Sequence, residues 1–194
     1  VVGMARSGVA AAQLLVKHGA TPYLVDQKTR AELQTPLEAL DALPVKWHLG
    51  ETPESLLGEV DALVISPGVP IQAPFLEKAR GMGLHVVSEL ELGFQLAEGT
   101  VVAISGTNGK TTTVSLLGEI FKNAGKLTHV AGNIGHPMSA AALVSRREDI
   151  IVAEVSSFQL EAIHTFRPKV AALLNISEDH LNRHGTMQVY VRMK

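Results

Sequence analysis

The chain has 194 residues, a formal net charge of −2 and 46% hydrophobic residues, enough for one large or two small packed domains and too apolar for long disorder. Mixed charge signs and 4% aromatic residues leave neither the basic footprint nor the base-stacking surface of a nucleic-acid binder. There is no cysteine, so a disulfide framework and a thiolate metal site are excluded, which fits a reducing cytoplasm; no apolar run approaches the ~18 residues of a membrane span.

In chain order, helical spacing or short β-branched runs predict helix 7–18, strands 23–25 and 62–65, helix 74–82, strand 85–87 and helix 90–97. Strand 101–104, helices 110–124 and 137–145, strand 150–155, helix 158–164 and strand 170–176 follow. This βα alternation predicts parallel sheets covered by helices. A second sheet begins at 101–104, so the expected division is a domain over 1–89 and another over 90–194, joined by helix 90–97. The chain starts without Met at the end of an apparent strand and stops inside an apparent helix, and the expectation is a fragment of a longer protein.

The loop at the start, Gly3-Met4-Ala5-Arg6-Ser7-Gly8, opens a helix straight after a strand. A dinucleotide fingerprint has glycine where Ala5 stands, and that glycine lets a pyrophosphate approach the backbone. Asp26 ends the next strand, where an acidic residue would meet a ribose hydroxyl. Two readings stay open: a loop that receives a diphosphate, or a Rossmann-like domain using glycine for close helix–strand packing. Ser66-Pro67-Gly68 follows the strand 62–65, either as a ligand-facing loop at the carboxyl edge or as a strand-ending turn.

Gly106-Thr107-Asn108-Gly109-Lys110-Thr111-Thr112 carries the most information. Strand, glycine-rich turn, Lys-Thr and helix is the layout of a phosphate-binding loop. Its backbone N–H groups and the helix N-terminus attract phosphate oxygens. Lys110 reaches the terminal phosphates and Thr111 offers a hydroxyl to Mg²⁺. The usual pattern has a further glycine five residues before Gly109, where this chain has Ile104.

Glu154 ends an apolar run beyond this loop. A carboxylate there is costly to bury unpaired, so it is either a Mg²⁺ ligand or a salt-bridged or edge-exposed side chain. His180 follows another apolar run, while Glu178 and Asp179 are expected to cap the next helix. The other seven histidines are read as surface or packing residues. Asn133, in Gly132-Asn133-Ile134-Gly135, and Ser156, Ser157 and Gln159, after Glu154, offer neutral polar groups near the same edge.

Gly-Thr-Asn-Gly-Lys-Thr, Gly-Asn-Ile-Gly, Glu-Val-Ser-Ser-Phe-Gln-Leu-Glu and Leu-Asn-Ile-Ser-Glu-Asp-His-Leu occur in this order. The set resembles the Mur ligases of peptidoglycan synthesis, and 156–161 resembles their D-glutamate-adding branch. The resemblance implies an α/β protein: a Rossmann-like N-terminal domain for a UDP-linked substrate, then a truncated phosphate-loop-type ATP-binding domain. It implies ATP and Mg²⁺ as cofactors, and UDP-N-acetylmuramoyl-L-alanine and D-glutamate as substrates joined through an acyl phosphate. A cytoplasmic, monomeric full-length enzyme is expected, with a third domain absent from this chain.

By the same resemblance Gly106–Thr112 bind ATP, and Lys110, His180 and Lys194 are catalytic. Thr111, Glu154, His180 and Lys194 hold metal. Ala5, Arg6, Ser7, Asp26, Ser66, Gly68, Asn133, Ser156 and Gln159 bind the substrate. The spacing Tyr190-Val191-Arg192-Met193-Lys194 matches that of a lysine carbamylated in the family, which would turn a cation into an anion able to bind Mg²⁺. Three alternatives compete: a sibling ligase adding another residue, a nucleotide-binding module or regulatory NTPase, and an NAD oxidoreductase, the last disfavoured by Ala5.

Overall fold

The computed structural model describes all 194 residues, Val1–Lys194. The first half runs α1 (Arg6–Lys17), β1 (Tyr23–Asp26), a 3-10 turn at Arg30–Leu33, α2 (Gln34–Leu40) and β2 (Lys46–Leu49). A second 3-10 turn at Pro53–Leu56, β3 (Ala62–Ile65), α3 (Pro74–Gly81), β4 (His85–Ser88) and α4 (Glu89–Leu96) complete it. β1 pairs with β2 and β3 with β4, all parallel. Val2 joins the two pairs by bridging Val25 on one side and Ile65 on the other. Its N–H donates to the Val64 carbonyl at 2.8 Å, and Gly3 N–H to the Val25 carbonyl at 2.9 Å.

α1 is held by alanine-rich sequence, favourable for helix, and buries a face of Gly8, Ala10, Ala11, Ala12 and Leu14. These small residues let neighbours approach closely. Ala11 and Leu14 form a core with Val64, Leu92 and Ala142, so α1 packs against both halves of the chain.

The second half runs β5 (Thr100–Ser105), α5 (Lys110–Asn123), β6 (Thr128–Gly132), α6 (Met138–Val144) and β7 (Ile150–Glu154). It ends with α7 (Ser157–Leu160), β8 (Val170–Leu173), α8 (Leu181–His184) and α9 (Met187–Met193). The strand order is β6-β7-β5-β8, all parallel, so the strand that leads into the phosphate loop is internal. Ile104 pairs with Glu154 on β7 and with Ala172 on β8. The position that carries glycine in longer loops is therefore still strand here, and the turn starts after it.

Several expected elements end early for visible reasons. The predicted helix 158–164 stops at Leu160, and the chain at its expected end is held by another partner. Glu91 on α4 accepts from the N–H of His164, Thr165 and Phe166 at 2.8–3.0 Å. The predicted strand 170–176 ends at Leu173, where the chain leaves the sheet to wrap the phosphate loop. Glu178 and Asp179 do not cap α8. Its N-cap is His180, in the left-handed region with φ 53°, and Asp179 Oδ1 accepts from the His180 N–H at 2.9 Å.

The halves are joined tightly. α4 and α6 approach until a Cβ on Gly93 would lie 2.6 Å from the Ser139 nitrogen. The Glu89 carboxylate, buried at the start of α4, accepts the Ser139 N–H at 2.6 Å. Burial raises its pKa more than this bond lowers it.

Candidate active site

The first-half loop and its neighbours form a cleft of about 880 Å³. Ala5, Arg6, Ser7, Asp26, Ser66 and Gly68, all expected to bind substrate, line it together. His136 and Pro137 from the second half form part of the opposite wall. The N–H groups of Arg6, Ser7 and Gly8 make no hydrogen bond within the chain, as the first turn of a helix requires, and together with Arg6 and Lys28 they favour an anion.

The packing reading of the Gly3–Gly8 loop holds here. A Cβ on Gly8 would stand 1.9 Å from the Gly3 carbonyl oxygen, so this glycine is a packing requirement. Asp26 is also committed to the loop: Oδ2 accepts Met4 N–H at 2.7 Å and Oδ1 accepts Lys28 N–H at 2.9 Å. Ser66 Oγ donates to the Gly3 carbonyl at 2.9 Å. The cleft wall is thus braced from the ends of two strands, β1 and β3.

In the second half, the N–H groups of Gly109, Lys110, Thr111 and Thr112 have no partner within the chain. Those of Thr107 and Asn108 are taken by the Asn175 carbonyl (3.0 Å) and the Asn175 side chain (2.8 Å). Asn175 Nδ2 returns a bond to the Asn108 carbonyl at 2.9 Å. Thr107 Oγ1 meets the Tyr190 hydroxyl at 2.9 Å and accepts from Ser177 N–H at 3.0 Å. The loop is therefore clamped along one side and open at the start of α5. Lys110 Nζ donates to the Thr107 carbonyl at 2.7 Å.

Glu154 is 1% exposed. Oε2 accepts from Thr111 Oγ1 and Oε1 from Asn133 Nδ2, both at 2.8 Å. No lysine, arginine or histidine forms an ion pair with it. The salt-bridged and edge-exposed alternatives are thereby excluded, and a buried carboxylate beside a threonine hydroxyl offers the hard oxygen atoms that Mg²⁺ takes, with the Asn133 amide nitrogen donating to the second carboxylate oxygen. Asn133 is delivered by a tight turn: Gly132 has φ 98°, and a Cβ there would meet the Glu154 carbonyl at 2.1 Å.

Lys194 Nζ donates to the Gly106 carbonyl at 2.8 Å and to Ser105 Oγ at 3.1 Å. Burial, then the neighbouring Lys110 charge, lowers its pKa to about 8, against the pull of Asp179 and Glu154. His180 is exposed, 3.4 Å from Asp179, with its ring 4.7 Å from that of Phe158. No group of three or more His, Asp and Glu side chains gathers into a metal cage. Ser156 and Gln159 sit in the capping box of α7, where Gln159 Oε1 accepts from Ser156 N–H at 3.0 Å, away from the cleft lining.

Two residues escaped the sequence reading. Asn175 lies inside a motif without a sequence signal of its own, and only the fold shows that it holds the loop. His136, read as a surface or packing residue, is exposed and also lines the cleft; nothing in its sequence setting signals the second.

A sequence model of the MurD-like N-terminal domain of Mur ligases matches residues 1–88, and one of the Mur ligase middle domain matches residues 104–194. The chain belongs to the Mur ligase family. Its Mur ligase relatives include proteins named UDP-N-acetylmuramoylalanine--D-glutamate ligase from Alkaliphilus metalliredigens, 48% identical, and Clostridioides difficile, 45% identical. Each alignment covers 100% of this chain and 43% of the relative, so the chain spans less than half the length of these Mur ligases. Solved Mur ligase structures share the fold. UDP-N-acetylmuramate:L-alanyl-gamma-D-glutamyl-meso-diaminopimelate ligase (MPL) from Neisseria meningitides has a TM-score of 0.60 at 22% identity, covering 99% of this chain and 65% of that one. MurC from Thermotoga maritima has a TM-score of 0.56 at 20% identity, covering 99% and 44%.

Proposed function

We propose that the protein joins D-glutamate to UDP-N-acetylmuramoyl-L-alanine in peptidoglycan precursor synthesis, at the expense of ATP and in the cytoplasm. The observation that carries this reading is Glu154, buried without a cation, with Thr111 and Asn133 on its two oxygens beside the four free N–H groups of the phosphate loop. The names of relatives that align over the whole chain supply the substrates.

In this proposal residues 1–89 hold the UDP-linked substrate and residues 90–194 the ATP. Ala5, Arg6, Ser7, Asp26, Ser66 and Gly68 receive the uridine diphosphate in the cleft they line. Asn133, Ser156 and Gln159 stand toward the muramoyl-alanine end. Gly106–Thr112 receive the ATP phosphates, with the open N–H groups of 109–112 as donors. Thr111, Glu154, His180 and a carbamylated Lys194 would hold Mg²⁺, which when bound neutralises charge between carboxylate and phosphate. Lys110 offsets negative charge as the γ-phosphoryl group passes to the alanyl carboxylate. The D-glutamate amine then displaces phosphate from that acyl phosphate. Phosphoryl transfer is mostly positioning and electrostatics, so no side-chain nucleophile is needed.

Phosphate release by the full-length protein tests the proposal, with ATP, Mg²⁺ and UDP-N-acetylmuramoyl-L-alanine supplied and D-glutamate added or omitted. Release that requires both substrates is expected. Release with a different amino acid would assign a sibling ligase. Hydrolysis indifferent to both would sink the ligase reading.

A further inference from the structure

Arg183 lies on α8, three residues after His180, and touches two separate parts of the chain, the α7 segment and the turn at Val69. Its Nε donates to Glu161 Oε1 at 3.0 Å and its Nη2 to Glu161 Oε2 at 2.5 Å. The same Nη2 donates to the Val69 carbonyl at 3.1 Å. Its guanidinium carbon stands 4.4 Å from the centre of the Phe158 ring, which also packs against His180. The Glu161 side chain is 5% exposed and that of Arg183 17%.

Val69 lines the substrate cleft beside Ser66 and Gly68. Glu161 follows α7, and its neighbour Ala162 is buried in the first-half core with Val2, Ile65 and Val86. One rigid plane therefore connects the helix that begins at His180, the segment docked on the first half, and the cleft wall. An ion pair needing only Glu161 would leave Val69 out. The planar fork of arginine serves a carboxylate and a third acceptor at once, whereas a lysine ammonium is a point charge on a flexible stem.

We propose that Arg183 is a positioning residue that ties the Ser66–Pro70 turn of the substrate cleft to the His180 helix beside the phosphate loop, so that each nucleotide site senses the other. This rests on the ligase reading for the identity of the two ligands, but the tie itself is present in the free protein. Arg183→Lys keeps a charge for Glu161 and loses the three-way geometry.

The test uses the full-length protein and two readouts. In ligand-free Arg183→Lys, amide hydrogen exchange is expected to rise about tenfold or more in both 66–70 and 180–184, through easier local opening. Lys17→Met removes a different contact between the halves, Lys17 Nζ to the Leu143 carbonyl at 2.8 Å, and should leave both segments unchanged. In the second readout, UDP-N-acetylmuramoyl-L-alanine tightens binding of a non-hydrolysable ATP analogue in the parent by a factor in the range of about 5–150 usual for coupled sites. That factor falls toward one in Arg183→Lys, with the melting temperature nearly unchanged.

A rise in exchange confined to 157–161 and 180–184 would overturn the tie, as would an equal rise in Lys17→Met. An unchanged coupling factor would overturn its role between the sites. If the parent binds no UDP-linked substrate, the ligase reading fails, and exchange in the free protein still decides whether Arg183 joins the two segments.

Discussion

Thr111 Oγ1 donates to Glu154 Oε2 at 2.8 Å, and this bond joins the first turn of α5 to the carboxyl end of β7. Glu154→Gln keeps the shape and an acceptor for Thr111 but removes the charge. Mg²⁺-dependent affinity for ATP is expected to fall by at least the roughly tenfold that losing an outer partner of a metal site costs. Titration of an ATP analogue with and without Mg²⁺ checks this. An equal loss in both conditions would show that the carboxylate acts on the loop alone.

Lys194 makes a pH prediction. Burial and Lys110 hold its pKa at about 8, below the ~10.4 of a free lysine. Between these values the unfolded chain binds more protons than the folded one, so this group's contribution to stability rises with pH across that window. The neutral amine needed to form a carbamate is correspondingly more abundant near neutral pH. Carbon-13 NMR of the full-length protein under labelled CO₂ should show carbamate formation with a midpoint near 8. Lys110→Met removes one cause of the shift and should move the midpoint upward. A parent midpoint at the ordinary lysine value would refute the assignment.

Gly8→Ala places a methyl group against the Gly3 carbonyl oxygen. Overpacking of this kind costs about 1–3 kcal/mol, and the upper end is expected because the obstruction is backbone. Gly68→Ala, where nothing lies within 4 Å of the new carbon, is the control. Urea unfolding midpoints of the two variants give the comparison.

Glu91 anchors the turn after α7. Burial pushes its carboxyl pKa up, but bonds from the Thr165 hydroxyl, the N–H groups of His164 and Thr165, and Gln95 more than offset this and bring it below the usual carboxylate value. Its contribution to stability is therefore present above the unfolded value of ~4.3 and is lost as pH falls through the folded one. Glu91→Ala strands three backbone donors and should cost about 3 kcal/mol near neutral pH. The deficit should shrink in acid; a constant deficit from pH 7 to pH 3 would count against the carboxylate as its cause.

What the sequence revealed was local. The phosphate loop was legible because glycine, Lys110 and Thr111 have fixed roles over a few residues after an apolar strand. The cleft residues were legible by resemblance, and the fold gathers six of them in one place. β2, Lys46–Leu49, was missed because Lys-Trp-His-Leu has little of the β-branched alternation that marks a strand. β6, Thr128–Gly132, was missed because its residues are mostly half-buried and end in glycine. Glu89 and Glu91 carry no sequence signal of the roles they play at the start of α4. Their partners lie 50 and more than 70 residues away, a distance over which no periodicity carries information.

The close crossing of α4 and α6 at Gly93 has a mechanical meaning. α4 closes the first sheet, lies flush against α6 of the second and holds the 164–166 turn through Glu91. A displacement of α4 from the second half would have to break that carboxylate's bonds and separate backbones already in contact. α4 and the second half therefore share one frame, and His136 and Pro137, which lead into α6, form a cleft wall set by that crossing.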